Sequence, residues 1–323
     1  MHNTCATVRL DPTTVMSSPV SGVFAALITP VDDLGRVDLA TFDRVIDFVV
    51  ERGVDGVVIG GGTGEYPDFE LEDRARLAAH AVRRMKGRGC VITCVGTSSI
   101  HSTLRLARGA ADAGSDALLI PMPHFFRYEQ QDLAAFCERV CASVSTPCLL
   151  YNLPSFTNGV SVDTATHLLE TIPNLVGMKD SSGARENLAP LALARDQHGF
   201  SLFVGDDDLL LAALQAGWNG VFSGIACVVP ELIVAVYRSY KAGNAVQARA
   251  YQATLDELIE QVVRLPIPWG VRVGLAARGI PNGPMHLPLS PERRGQVDDL
   301  GRWLNRWAEE RSLKLPQVWA NIP

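Results

Sequence analysis

The residues with the most chemistry to offer stand at the ends of short apolar runs. Lys179 closes the run Leu175, Val176 and Met178 inside NLVGMKDSSG, and Asp180 to Gly183 then read as a turn. An ammonium group is costly to remove from water. Either Lys179 snorkels to the surface, or burial favours the neutral amine and makes it a nucleophile. Tyr151 closes another run, in PCLLYNLPS. A phenol there is either rim packing or a group that moves protons. A third run ends in GGGTGEY, residues 60–66. Glycines this dense let the backbone approach a ligand and aim N–H groups at an anion, or they make a tight turn. Two further runs end in GDDD, residues 205–208, and in SG, residues 223–224.

Read together, these groups define one reaction class. A free amine attacks a ketone and forms an imine. The imine withdraws electrons, so a C–C or C–O bond two atoms away can break or form. A tyrosine hydroxyl can shuttle the protons, and the amides of the glycine loop can hold the carboxylate of a 2-oxo acid. The expected chemistry is aldol cleavage, aldol addition or dehydration through a Schiff base, with no metal and no other cofactor.

Such groups must be brought together by the elements that carry them. Eight apolar runs read as strands: 22–29, 56–60, 90–95, 117–121, 147–152, 174–179, 201–205 and 220–224. They are continuously apolar, as parallel strands buried on both faces are. Helical spacing lies between them; DLATFDRVIDFVVERG puts Leu39, Phe42, Val45, Ile46 and Val49 on one stripe. Asp38 and Asp163 are expected as N-caps. Eight strand–helix alternations predict a (β/α)8 TIM barrel, in which catalytic groups gather at the C-terminal strand ends. An open doubly wound sheet is disfavoured, because no dinucleotide glycine fingerprint follows the first strand. Residues 1–20 read as a loose polar tail, 21–230 as the barrel, and 231–323 as a C-terminal helical domain.

Composition narrows the function further. The 323 residues are 47% hydrophobic and 20% charged, with net charge −6, which fits a globular enzyme and argues against a nucleic-acid partner. No apolar stretch reaches membrane-spanning length, and the N-terminus has no signal-peptide core, so the expected location is cytoplasmic. The seven cysteines lack zinc-site spacing and read mostly as buried thiols.

The motifs GGTGE (61–65), YNLP (151–154), GMKDSSG (177–183), GDDD (205–208) and PIPWGVR (266–272) occur in this order. In this combination the chain resembles the dihydrodipicolinate synthase / N-acetylneuraminate lyase family of class I aldolases, over residues 20 to 312. The resemblance implies a barrel with a C-terminal helical domain, and a homotetramer or homodimer acting on a 2-oxo acid such as pyruvate. It implies Lys179 as the Schiff-base lysine, Tyr151 as the proton-transfer tyrosine, and Thr63 with Gly62 and Gly64 as the carboxylate-binding loop. Asp207, Asp208 and Ser223 match positions at which sugar-cleaving members meet substrate hydroxyls; Gly205 is expected beside them, and Phe125 and Phe156, with Phe126, are the alternative, an apolar pocket for an aromatic aldehyde.

Three positions depart from the synthases of that family. Gly62 replaces a hydroxyl residue. Phe125, in PMPHFFRYEQ, stands where a relay tyrosine lent by a neighbouring subunit would be. Phe156 stands where an arginine would grip the carboxylate of the aldehyde partner. The expectation is therefore a pyruvate-type lyase of a 2-keto-3-deoxy sugar acid or similar hydroxylated 2-oxo acid. Dehydration of such an acid, 4-hydroxy-tetrahydrodipicolinate synthase activity and a non-catalytic keto-acid-binding regulator are the alternatives.

Overall fold

The computed structural model describes residues 20–311. Each expected apolar run is a strand: β1 Gly22–Ala26, β2 Gly56–Ile59, β3 Cys90–Cys94, β4 Ala117–Pro121, β5 Cys148–Asn152, β6 Leu175–Asp180, β7 Ser201–Val204 and β8 Gly220–Ser223. They pair in parallel in chain order, and β8 returns to β1 to close an eight-stranded barrel. The chain is thus a (β/α)8 barrel followed by further helices.

Side chains alternate between two cores, as the strand period of two requires. Outside the barrel, a large apolar cluster joins the strands to the surrounding helices. Inside it, Phe24, Ile92, Leu119, Leu149, Tyr151, Phe203 and Phe222 form a second cluster. Rings of Phe24, Phe203 and Phe222 lie 4.4–5.5 Å apart between centroids and fill the interior. The barrel is therefore a packed core whose upper layer carries the polar groups.

The first helix, α1 (Leu39–Glu51), buries Phe42, Val45, Ile46 and Val49 on the expected stripe. Asp38 caps it, accepting from the amides of Ala40 and Thr41 at 3.0 Å each. The second expected cap is corrected. Ser161, not Asp163, caps α5 (Val162–Thr171), its hydroxyl accepting from the Thr164 amide at 3.2 Å. Asp163 instead sits in the first turn, where a carboxylate still favours the positive helix end.

The chain after β8 is helical: α8 Pro230–Lys241, α9 Ala245–Val262, α10 Trp269–Ala277 and α11 Pro291–Arg311. The expected boundary at residue 230 falls where α8 begins. Because α8 packs against β1, we propose that it closes the barrel and that the helical domain starts after it. The expected tail, apart from Val20, and the last twelve residues lie outside the described residues. Among the described residues, no helix is long and apolar enough to cross a membrane. Cys94, Cys137, Cys141, Cys148 and Cys227 are buried as expected, and Cys90 is exposed.

Candidate active site

Strand register places the amine beside the phenol. Tyr151 on β5 stands opposite Lys179 on β6, and Lys179 stands opposite Phe203 on β7. Phe203 and Tyr151 both point into the barrel, and residues paired across neighbouring strands share a face. Lys179 therefore points inward and is only 5% exposed. It does not snorkel. Its Nζ donates to Tyr151 Oη at 3.1 Å and sits 4.2 Å from the centroid of that ring.

Gly205, at the end of β7, makes room for this lysine. A Cβ at that position would lie 2.6 Å from Lys179 Cε and 1.8 Å from Ser181 Oγ. Gly205 was expected to touch substrate; its visible role is clearance for the amine's stem.

The glycine loop after β2 is held from beneath. Thr29 Oγ1 donates to the Gly64 carbonyl at 2.8 Å. Glu65 adopts a left-handed conformation, with φ 52°, which is strained for a residue with a Cβ. Its carboxylate is fixed by Arg272 Nη1 at 2.8 Å. Arg272 is fully buried, and its guanidinium also donates to the carbonyls of Thr29, Asn282, Gly283 and Pro284. Sequence reading noticed PIPWGVR as a motif but gave Arg272 no role. The signal was there: an arginine in an otherwise apolar helix needs a buried partner.

Thr63 faces the end of β8, where a Cβ on Gly224 would come within 2.9 Å of Thr63 Oγ1. Gly224 is thus the residue against that hydroxyl. Gly62 lies in front of the phenol; a Cβ there would stand 3.7 Å from Tyr151 Oη. A side-chain hydroxyl at position 62 would therefore meet Tyr151, and glycine supplies none.

Asn152 and Asp180 were also missed. They are paired in register directly after Tyr151 and Lys179, and Asn152 Nδ2 donates to Asp180 Oδ1 at 2.8 Å. Asp180 also accepts from the Ser182 hydroxyl at 2.9 Å, and the Val160 amide donates to Asn152 Oδ1. This buried pair ties the two strand ends that carry the amine and the phenol. Burial pushes the Asp180 carboxyl above its usual range.

The acidic run 206–208 divides into three roles. Asp206 accepts from the Gly183 amide at 3.0 Å and so holds the turn after Lys179. Asp207 is buried, accepts a long 3.4 Å bond from the Ile225 amide, and leaves Oδ1 without a partner. Burial raises its carboxyl to about 7, against the opposing pull of the Ser223 hydroxyl. Ser223 Oγ accepts from the Ala226 amide. Its strand neighbour Phe222 points into the barrel, so Ser223 points outward. Asp208 is exposed, and its charge bears on Asp256 of α9. The structure therefore brings Lys179, Tyr151, Gly62 and Gly205 together, and groups Asp207 with Ser223 in a neighbouring cluster.

Phe125 and Phe156 stand on the loops after β4 and β5, 85% and 62% exposed. Asn158 stitches these loops together, donating to the carbonyls of Pro123 and Phe126 and accepting from the Tyr128 amide. Phe125 has φ 82°, the second left-handed non-glycine residue besides Glu65 among the described residues.

Glu65, Asp68 and His286 offer ligand atoms within 4.8 Å of one another. Arg272 already balances Glu65 in this group, so its charge does not call for a cation.

An eight-stranded parallel barrel with a buried amine and phenol paired at the C-terminal strand ends defines a barrel lyase of the lysine-imine type. The chain belongs to the dihydrodipicolinate synthetase family, whose match covers residues 19–306. It is 34% identical over 277 residues to a 4-hydroxy-tetrahydrodipicolinate synthase of Azoarcus sp., covering 84% of this chain and 93% of that protein. The corresponding Bacillus subtilis synthase is 30% identical over 270 residues, covering 83% and 93%. Among solved structures, dihydrodipicolinate synthase from Aquifex aeolicus superposes with a TM-score of 0.84 at 28% identity, covering 89% of this chain and 98% of that one.

Proposed function

We propose that this enzyme forms an imine between Lys179 and a 2-oxo acid such as pyruvate, and that it makes or breaks the C–C bond next to the pyruvate unit. The observation that carries the reading is the 3.1 Å contact between the buried Lys179 amine and the Tyr151 hydroxyl. Tyr151 is the proposed carrier of the proton that the imine chemistry releases or needs. The amides of residues 62–64, with Thr63, are the proposed seat of the carboxylate. The reaction needs no metal or other cofactor, because the lysine imine is itself the electron sink.

For the partner of pyruvate, kinship and side chains pull apart. The relatives named above are 4-hydroxy-tetrahydrodipicolinate synthases, which supports that alternative more than the sugar-acid lyase expected from sequence. The second reading, a lyase of a hydroxylated 2-oxo acid, is favoured by Gly62, Phe125 and Phe156, which carry no hydroxyl or charge where the synthase reading needs them. Dehydration rests on the aromatic Tyr66 that follows GGTGE, and a purely binding role on Gly62 and Phe125, with the Lys179–Tyr151 pair weighing against the latter. Product analysis separates the readings. Purified protein is supplied with pyruvate plus the carboxylate-bearing aldehyde, and separately with a 2-keto-3-deoxy sugar acid. Condensation in the first supports the synthase; release of pyruvate in the second supports the sugar-acid lyase; turnover of neither rejects both.

A homotetramer or homodimer belongs to the same proposal. Phe125, Phe126, Tyr128 and Phe156 expose large apolar surfaces on two stitched loops, as surfaces that meet another subunit do.

A further inference from the structure

An imine of a 2-oxo acid becomes reactive only when a proton leaves or joins the carbon beside it. That proton must travel between a buried phenol and solvent. Tyr151 is buried, and Gly62, which lies in front of its hydroxyl, has no side chain to carry the proton onward.

The residue immediately before Phe125 is His124, and its ring faces another phenol. Tyr66 Oη lies 3.4 Å from His124 Nδ1, with the rings edge to face at 6.0 Å. Tyr66 is buried, whereas His124 is only part-buried and reaches toward solvent. Tyr66 follows directly on the glycine loop, whose Gly62 lies in front of the Tyr151 hydroxyl, and Tyr151 is near enough for its charge to bear on the Tyr66 phenol. Arg74 of α2 (Leu71–Met85) holds the arrangement. Its guanidinium lies 4.9 Å from the Tyr66 ring and donates to the carbonyls of Gly96 and Cys94.

We propose that Tyr66 and His124 are the proton exit of this site and supply the relay that Gly62, without a side chain, cannot. The inference rests on the imine reading of Lys179. Tyr151 passes a proton across the space in front of Gly62, through water or a substrate hydroxyl, to the Tyr66 oxygen. Tyr66 releases its own proton to His124 Nδ1, and the imidazole sheds its Nε2 proton to solvent. One proton enters the chain and one leaves it; the reverse sequence delivers a proton to the substrate carbon. The acceptor must be a neutral imidazole. The groups that face the pair are Arg74 from α2, the Cys94 thiol from β3 and Tyr151 from β5. Burial and the Arg74 charge hold His124 below the usual histidine range, so the ring is neutral near pH 7.

Exchange of the pyruvate methyl protons with D2O reads this path directly. Whole enzyme is compared with Tyr66→Phe, His124→Asn and His124→Gly, and borohydride trapping on Lys179 is measured at equilibrium for each. The expected result is full trapping in all four, with exchange about 10²-fold slower in the variants. Added imidazole restores exchange in His124→Gly, which a purely structural role for His124 would not allow. Exchange within twofold of wild type in Tyr66→Phe and His124→Asn, or slow exchange that imidazole does not rescue, overturns the proton exit alone. Wild-type protein that traps no pyruvate on Lys179 overturns the imine reading as well.

Discussion

The Lys179 amine lies 3.1 Å from the Tyr151 hydroxyl because the two residues stand opposite each other on adjacent parallel strands. A shift of one residue in either strand would turn one of them out of the barrel. The Asn152–Asp180 bond, one step further along the same register, resists that shift. The amine and the phenol are thus fixed by strand pairing, and the loops shape what surrounds them.

Gly205 is the tightest constraint on the amine. A methyl group at this position would overlap Lys179 Cε and Ser181 Oγ. Gly205→Ala is expected to displace the lysine and lower pyruvate trapping by at least about tenfold, since small misplacements of a reacting group cost heavily. Mass spectrometry of the reduced adduct measures this, and trapping equal to wild type would refute the clearance role.

Gly62 is expected to tolerate a hydroxyl. A Cβ there stands in ordinary contact distance of Tyr151 Oη, and Gly62 is not among the left-handed glycines. Gly62→Ser should change unfolding free energy by no more than about 0.5 kcal/mol. If the synthase reading holds, the same variant should raise the condensation rate, because the new hydroxyl can share protons with Tyr151. Steady-state kinetics with pyruvate and the aldehyde decides it.

Arg272 and Glu65 form a buried ion pair under the glycine loop. Removing one partner of such a pair leaves a buried charge uncompensated and costs about 3–5 kcal/mol. Arg272→Ala is expected to lose stability of that order in urea titration. Arg272→Ala combined with Glu65→Gln should recover part of it. A single variant as stable as wild type would show that the pair holds nothing.

Asp207 predicts a pH dependence of stability. Its carboxyl titrates near 7 when folded, against 3.8 as its ordinary value. Between those values the folded state holds a proton that the unfolded state has lost, so stability falls as pH rises through this window. Asp207→Asn should flatten the decline between pH 4 and 7 in thermal melts. An unchanged slope would place the titration elsewhere.

Much of this was legible in the sequence, for identifiable reasons. The eight strands were readable because parallel strands buried on both faces are continuously apolar, as in CLLYN and LVGMK. Lys179 and Tyr151 were readable because polar ends on such runs are conspicuous. Asn152 was not, because a strand-end amide looks like any turn residue until its partner across the sheet is known. Arg272 was hidden by distance: it lies 207 positions from Glu65. The expected cap at Asp163 failed because Ser161, two residues earlier, serves equally well. The proposed second substrate was the least legible, since it depends on exposed loops whose aromatic residues do not name a ligand.

The central claim is the imine on Lys179, and borohydride reduction in the presence of pyruvate tests it most directly. Peptide mass spectrometry should find the mass of reduced pyruvate on the Lys179 peptide, and Lys179→Ala protein should gain none. Adduct on another lysine, or no adduct on folded wild-type enzyme, would contradict the account.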